Sequence, residues 1–136
     1  MNKLLIGIDC GVNTGMAVKI KGGPFISVAS VKIHQAYESV KALHAAGHDL
    51  LVYVEDARKG GASPKMAAAK AQGAGSVKRD SKFWDDALTD LGIPFVLVSP
   101  KDNRTKLTAI QFKRTTGWCE QTNEHGRDAG MLIAGR

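Results

Sequence analysis

Two short apolar runs in this chain each close on a carboxylate. Residues 4–8 (LLIGI) lead into Asp9, and residues 50–54 (LLVYV) lead into Glu55. Each run has the length of a buried strand and is flanked by turn or polar residues. If the two strands lie side by side and parallel, both carboxylates leave the sheet at the same edge. Ligands of open α/β sheets usually bind beyond that edge.

The rest of the chain supplies a sheet around these two strands. Gly11 and Gly15 bracket a turn, and residues 16–20 read as the return strand of a hairpin. Gly22-Gly23-Pro24 makes a second turn, and the alternation in 25–33 predicts a third strand. Residues 37–46 predict a helix stopped by Gly47. After Glu55 comes a loop over 57–62. Ser63-Pro64 then has the hydroxyl cap and first-turn proline of a helix start. That helix is expected to run to about Leu91 with interruptions at Gly73 and Gly75, which mark a break or the close approach of another backbone. Residues 93–98 predict a further strand, 105–115 a basic helix, and Asn123 the cap of a last helix. The order β-β-β-α-β-α-β-α-α predicts an α/β fold in a single domain over 1–136. Its five-stranded mixed sheet has three antiparallel strands followed by two parallel ones, with helices on both faces.

Charge in this chain is segregated. The net charge is +6 and the pI about 9.5. Residues 57–82 carry Arg58, Lys59, Lys65, Lys70, Lys78, Arg79 and Lys82 against the acid Asp80. Residues 101–114 carry Lys101, Arg104, Lys106, Lys113 and Arg114 against Asp102. The remaining residues are net acidic. Basic charge gathered in two stretches is what a nucleic-acid footprint requires, although solvated helix faces give the same pattern. The expected DNA contacts are Arg58, Lys59, Lys65, Lys78, Arg79, Lys82, Arg104, Lys106 and Lys113. Arg58, Lys59, Gly60 and Gly61 form a candidate phosphate-gripping loop. No apolar run approaches the roughly 18 residues of a membrane span, and residues 1–3 lead straight into a strand rather than a signal peptide. Cys10 and Cys119 make no disulfide framework, so a reducing cytoplasm is the expected compartment.

The last helix completes the constellation. In His125-Gly126-Arg127-Asp128-Ala129, His125 and Asp128 stand three apart and share a face. Gly126 and Gly130 let that helix lie close to the sheet. Asp9, Glu55, Asp128 and His125 are then candidate catalytic residues and candidate ligands of a hard cation. Mg²⁺ takes one or two carboxylates together with waters and phosphate oxygens. Without a cation, clustered carboxylates repel one another and any phosphate. Asp56 adjoins Glu55, but strand alternation turns it to the other side. His34, His44 and His48 are expected at the surface, and Phe83, Trp84, Leu88 and Leu91 have the helical spacing of a core stripe.

These motifs resemble those of the RuvC-like Holliday-junction resolvases. Gly7-Ile8-Asp9-Cys10-Gly11, followed by Thr14-Gly15, is similar to the family's first-strand G-I-D-P-G and T-G. Val54-Glu55 is similar to its second acidic strand end, Ala71-Gln72-Gly73-Ala74-Gly75 to a stretch of its long helix, and His125 to Ala129 to its C-terminal H-x-x-D-A helix. The likeness spans nearly the whole chain in the family's order. It implies an RNase H-like fold, a homodimer, two Mg²⁺ or Mn²⁺ ions and no small-molecule cofactor. It also implies paired nicks in four-way or other branched DNA that leave 5′-phosphate and 3′-hydroxyl ends. Asp9, Glu55 and Asp128 would be metal ligands, and His125 a ligand or proton shuttle. Cys10 stands where the family has proline, and Arg58 where bacterial members carry an aromatic wedge, which marks a phage-type or divergent member.

Three other readings compete. Residues 9–15 also resemble the first phosphate loop of actin-like kinases, but those need a second similar domain to close over nucleotide. An RNase H-type nuclease acting on RNA–DNA hybrid would carry the same acids and would read the 2′-hydroxyl. A non-catalytic DNA-binding module would gain nothing from carboxylates beside phosphate.

Overall fold

Among the described residues, five strands form one mixed sheet. They are β1 (Leu4–Asp9), β2 (Asn13–Ile20), β3 (Phe25–Lys32), β4 (Leu50–Glu55) and β5 (Phe95–Val98), in the order β3-β2-β1-β4-β5. The computed structural model describes residues 2–59 and 64–136, with the stretch 64–74 described by its backbone alone. The hairpin pairs β1–β2 and β2–β3 are antiparallel, and β1–β4 and β4–β5 are parallel. This is the arrangement expected of an RNase H-like fold, with the first strand beside the fourth.

Helices α1 (Ile33–Ala45), α2 (Pro64–Leu91), α3 (Ala109–Thr116) and α4 (Glu124–Ile133) cover the sheet. Alternation along the strands divides the core in two. Leu4, Ile6, Ile8, Leu50, Val52 and Val54 pack with Ala36 and Val40 of α1 and with Trp84 and Leu88 of α2. Leu5, Ala17 and Val28 pack with Phe112 of α3 and with Ala129, Leu132 and Ile133 of α4. The expected stripe on α2 is therefore core. Trp84 and Leu88 are fully buried, whereas Phe83 is partly exposed and edges onto Tyr37 and Trp84.

Several expected boundaries move. Helix α1 starts four residues earlier, because Lys32 acts as its N-cap and Gln35 reaches back to the Lys32 amide. Strand β5 is shorter than 93–98. Helix α2 passes through Gly73 and Gly75 without interruption, and nothing lies within 4 Å of where a Cβ at Gly75 would stand. The basic helix expected over 105–115 begins only at Ala109, where Thr108 caps it with Gln111. Lys106 lies outside that helix at φ 59°, a left-handed backbone that a right-handed helix cannot contain. The expected Ser63 cap, Gly60 and Gly61 lie outside the described residues. Among the described residues no helix is long and apolar enough to cross a membrane. Cys10 is buried, Cys119 is exposed, and both are free thiols.

Candidate functional site

The parallel pairing of β1 and β4 sets Asp9 directly opposite Glu55. Side chains two apart share a sheet face. Asp9 thus follows Leu5 and Gly7, and Glu55 follows Leu51 and Tyr53, all on the side that α4 covers. On that side α4 comes unusually close. A Cβ on Gly7 would collide with the Ala129 carbonyl, and one on Gly15 with the His125 carbonyl. The two strand glycines are therefore what lets the helix bearing His125 and Asp128 lie on the strands bearing the acids. Gly126 and Gly130, the glycines expected to allow this approach, contribute as well. Gly126 lies against the Ala29 backbone and Gly130 beneath the Phe112 ring. Asn123 caps the helix as expected, accepting the Gly126 amide at 2.9 Å.

These elements bring all four candidate residues together. The Asp9 and Glu55 carboxyls share a hydrogen bond, and both feel the charge of Asp128. His125 Nδ1 stands 3.4 Å from Asp9 Oδ2. Burial pushes Asp9 up to about 6, and the charges of Asp128 and Glu124 push the same way against the relief of the Glu55 hydrogen bond. Glu55 rises to about 7, through burial first and then the charge and shared proton of Asp9. Asp128 is raised as well, by burial and by Glu124, with the Lys106 amide opposing. Among the described residues no lysine or arginine forms an ion pair with Asp9, Glu55 or Asp128. Nor, among those residues, is any group of three or more His, Cys, Asp or Glu arranged so that it could hold a metal ion. The site is an open edge of carboxylates.

Three residues hold this edge in place: Asn103, which the sequence did not single out, and Lys106 and Arg127, whose part in it the sequence did not signal. Asn103 Nδ2 donates to the Asp128 carbonyl oxygen at 3.1 Å, and its amide favours the charged form of Glu55. Lys106 donates its backbone N–H to Asp128 Oδ1 at 3.0 Å. Arg127 Nε donates to the Leu107 carbonyl at 2.7 Å, and its Nη1 reaches both the carbonyl and the hydroxyl of Thr122, tying two loops to α4. The one local signal for any of them is the position of Arg127 inside the H-G-R-D run. Asn103 and Lys106 act from an irregular segment that carries no periodicity.

The expected basic contacts divide. Arg58 is committed elsewhere: its Nε and Nη2 bond both oxygens of Asp56 at 2.9 Å, and Nη2 also reaches Asp85 Oδ2 at 3.0 Å. Asp56, turned to the α2 side as alternation requires, is buried, and Arg58 holds its carboxyl below the usual range. Arg58 is thus a clasp between β4 and α2 rather than a free phosphate contact. Lys59 Nζ bonds the Leu97 carbonyl at 3.1 Å, and Lys82 pairs with Asp86 on its own helix. Lys78, Arg79, Arg104, Lys106 and Lys113 have exposed side chains, as do His34, His44 and His48. Lys65 and Lys70 have side chains outside the described residues. Cys10, beside the acids, is held up at about 12, by burial more than by its negative neighbours, and is a poor nucleophile.

A separate apolar groove lies elsewhere. It encloses about 780 Å³ between α1 and β1–β3, is lined by Leu4, Met16, Val18, Ile26 and Leu43, and contains none of the acids.

No protein-family model matches this chain, and no curated protein matches it in sequence.

Proposed function

We propose that this protein is a divalent-metal-dependent DNA endonuclease that resolves four-way or other branched junctions, as its likeness to the RuvC-like resolvases implies. The observation that carries the reading is the register of Asp9 with Glu55 beneath Asp128. Three acids from distant segments come within range of one another's charge, and among the described residues no lysine or arginine pairs with them. That donor set fits a hard cation, because burial beside like charges raises their proton affinity, and a divalent ion relieves the same repulsion.

Asp9, Glu55 and Asp128 would hold two Mg²⁺ ions, or Mn²⁺ in their place, with His125 at the margin. Bound there, the ions supply Lewis acidity, polarising a phosphoryl oxygen and acidifying water. The chain's own groups do the rest. The Asn103 amide and the Lys106 N–H orient Asp128. The exposed cations Lys78, Arg79, Arg104, Lys106 and Lys113 face phosphate by charge alone. In the reaction the oxygen of water bonds to phosphorus, the bond to the 3′-oxygen breaks, and a proton passes to that oxygen. The ends are then 5′-phosphate and 3′-hydroxyl. His125, against Asp9, stands where a proton can be relayed. A homodimer would supply the paired nicks.

A Mg²⁺-dependent cleavage panel of four-way junction, Y-fork, linear duplex and RNA–DNA hybrid tests the reading. Paired, symmetric nicks in the four-way junction support it. Preferential cutting of the hybrid moves the substrate to RNA–DNA, and ATP turnover without any cutting overturns the nuclease assignment.

A further inference from the structure

We propose that Asn103 is a positioning residue of the candidate metal centre, its side-chain amide holding the main chain of Asp128 beside the Glu55 carboxyl. The inference rests on the nuclease reading and adds to it a residue outside the acidic constellation.

Asparagine in a turn ordinarily bonds its own local backbone. Asn103 follows the short 3-10 turn Pro100–Asp102, yet its side-chain amide bonds the main chain of Asp128, far away in sequence. Glu55 ends β4, and Asp128 sits on α4, which packs over that end. A primary amide nitrogen has two N–H donors. One goes to the Asp128 carbonyl at 3.1 Å, and the amide also favours the charged form of the Glu55 carboxyl. No other uncharged side chain of this length offers two such donors on one atom. A serine has one, and an aspartate would bring another negative charge to an edge that already holds three.

A second feature of the same segment points the same way. Three residues on, Lys106 takes a left-handed backbone at φ 59° and donates its N–H to Asp128 Oδ1 at 3.0 Å. Non-glycine residues rarely persist in that conformation, and when they do, the surroundings hold them there, often at functional sites. The segment 103–106 therefore fixes Asp128 twice, by its carbonyl through Asn103 and by its carboxylate through Lys106. Groups that orient metal ligands from behind govern affinity for the ion, typically by ten- to a hundredfold.

The test titrates Mn²⁺ alone, without DNA, into metal-free wild type, Asn103→Ala and Asn103→Ser, followed by electron paramagnetic resonance. Circular dichroism and melting curves are run on the same samples. Asn103→Ala is expected to weaken Mn²⁺ binding about tenfold or more, and Asn103→Ser by less, because a hydroxyl serves one acceptor only. The half-saturating Mg²⁺ for cleavage should rise in step, excess Mg²⁺ should restore kcat, and KM for junction DNA should stay within about twofold. Unchanged Mn²⁺ affinity in a folded Asn103→Ala variant overturns the role of Asn103 and leaves the nuclease reading standing. If Asn103→Ala does not fold, unchanged affinity in Asn103→Ser overturns that role in the same way. A wild type that binds no Mn²⁺ overturns both.

Discussion

Asp9 and Glu55 are register partners on adjacent parallel strands, and their carboxyls share a hydrogen bond while Asp128 adds its charge from the helix above. Two acids this close repel one another when both are charged, and a shared proton or a divalent cation relieves that repulsion. Asp9→Asn keeps the shape and removes one ligand charge. It is expected to lower Mg²⁺-dependent cleavage by about a hundredfold or more, in line with losing a principal electrostatic contributor. Binding of junction DNA in Ca²⁺ should stay within about twofold. Loss of DNA binding with cleavage per bound complex intact would contradict the assignment.

The same pair makes metal-free stability fall with pH. Both folded pKa values, about 6 for Asp9 and about 7 for Glu55, lie above their ordinary values of 3.8 and 4.5. The folded state therefore binds protons more tightly than the unfolded chain. The stability this contributes is complete below about pH 4 and is lost as pH rises through 6 to 7. In EDTA, Asp9→Asn should melt above wild type at pH 7.5 and close to it at pH 4.5. Millimolar Mg²⁺ should narrow the gap at pH 7.5. A gap that is independent of pH would remove the carboxyl pair as its source.

Much of this arrangement was legible in the sequence. The strand order, the edge position of Asp9 and Glu55, the cap at Asn123 and the inward turn of Asp56 all follow from two-residue alternation and helix-end chemistry, which are local rules. What was not legible depends on contacts across the chain. Gly7 reads as one more small residue in an apolar strand until the Ala129 carbonyl is found above it. Arg58 reads as a free cation in a basic stretch until Asp85 arrives from α2. Asn103 belongs to no periodic element, so no pattern announced it, and Lys106 reads as a helical phosphate contact until its main-chain N–H is found on Asp128.

Gly7→Ala and Gly15→Ala should each be severely destabilising. The added methyl meets backbone carbonyl, not the end of a flexible side chain, so strand or helix must move. Overpacking of this kind costs about 3 kcal/mol, or roughly 10 °C in melting temperature for a domain of this size. Because relief comes from lifting α4, the substitutions should also weaken Mn²⁺ affinity even where the protein remains folded. A melting temperature within about 2 °C of wild type would show that α4 does not rest on these glycines.

Arg58 and Lys113 should behave oppositely, although both are cations in basic stretches. Arg58→Ala strips the partner from buried Asp56, and orphaning a buried carboxylate costs about 3 kcal/mol. It should leave the salt dependence of DNA binding unchanged. Lys113→Ala, on the exposed side of α3, should leave stability within about 0.5 kcal/mol. If Lys113 touches phosphate, that change should flatten the log–log salt slope by about 0.9. Thermal melts and binding titrations at several salt concentrations separate the two. A flattened slope for Arg58→Ala would return that residue to the DNA footprint.

Lys106 combines an exposed ammonium with a left-handed backbone whose N–H holds Asp128, and the two contributions can be separated. Lys106→Ala removes the ammonium and keeps a side chain in the strained conformation, so stability should hardly change. Lys106→Gly also removes the ammonium but relieves the strain, since glycine adopts φ near +60° freely. The relief, of order 1 kcal/mol, is partly offset by the greater freedom of glycine in the unfolded chain. Lys106→Gly should therefore melt at or slightly above Lys106→Ala. Because the Asp128 hydrogen bond comes from the main chain, both variants should keep wild-type Mn²⁺ affinity while losing DNA affinity equally. If Lys106→Gly alone loses Mn²⁺ affinity, a stiff left-handed residue is needed to present the amide, and the strain is part of how Asp128 is held. If both lose it, the ammonium itself supports the acids, contrary to its exposed position.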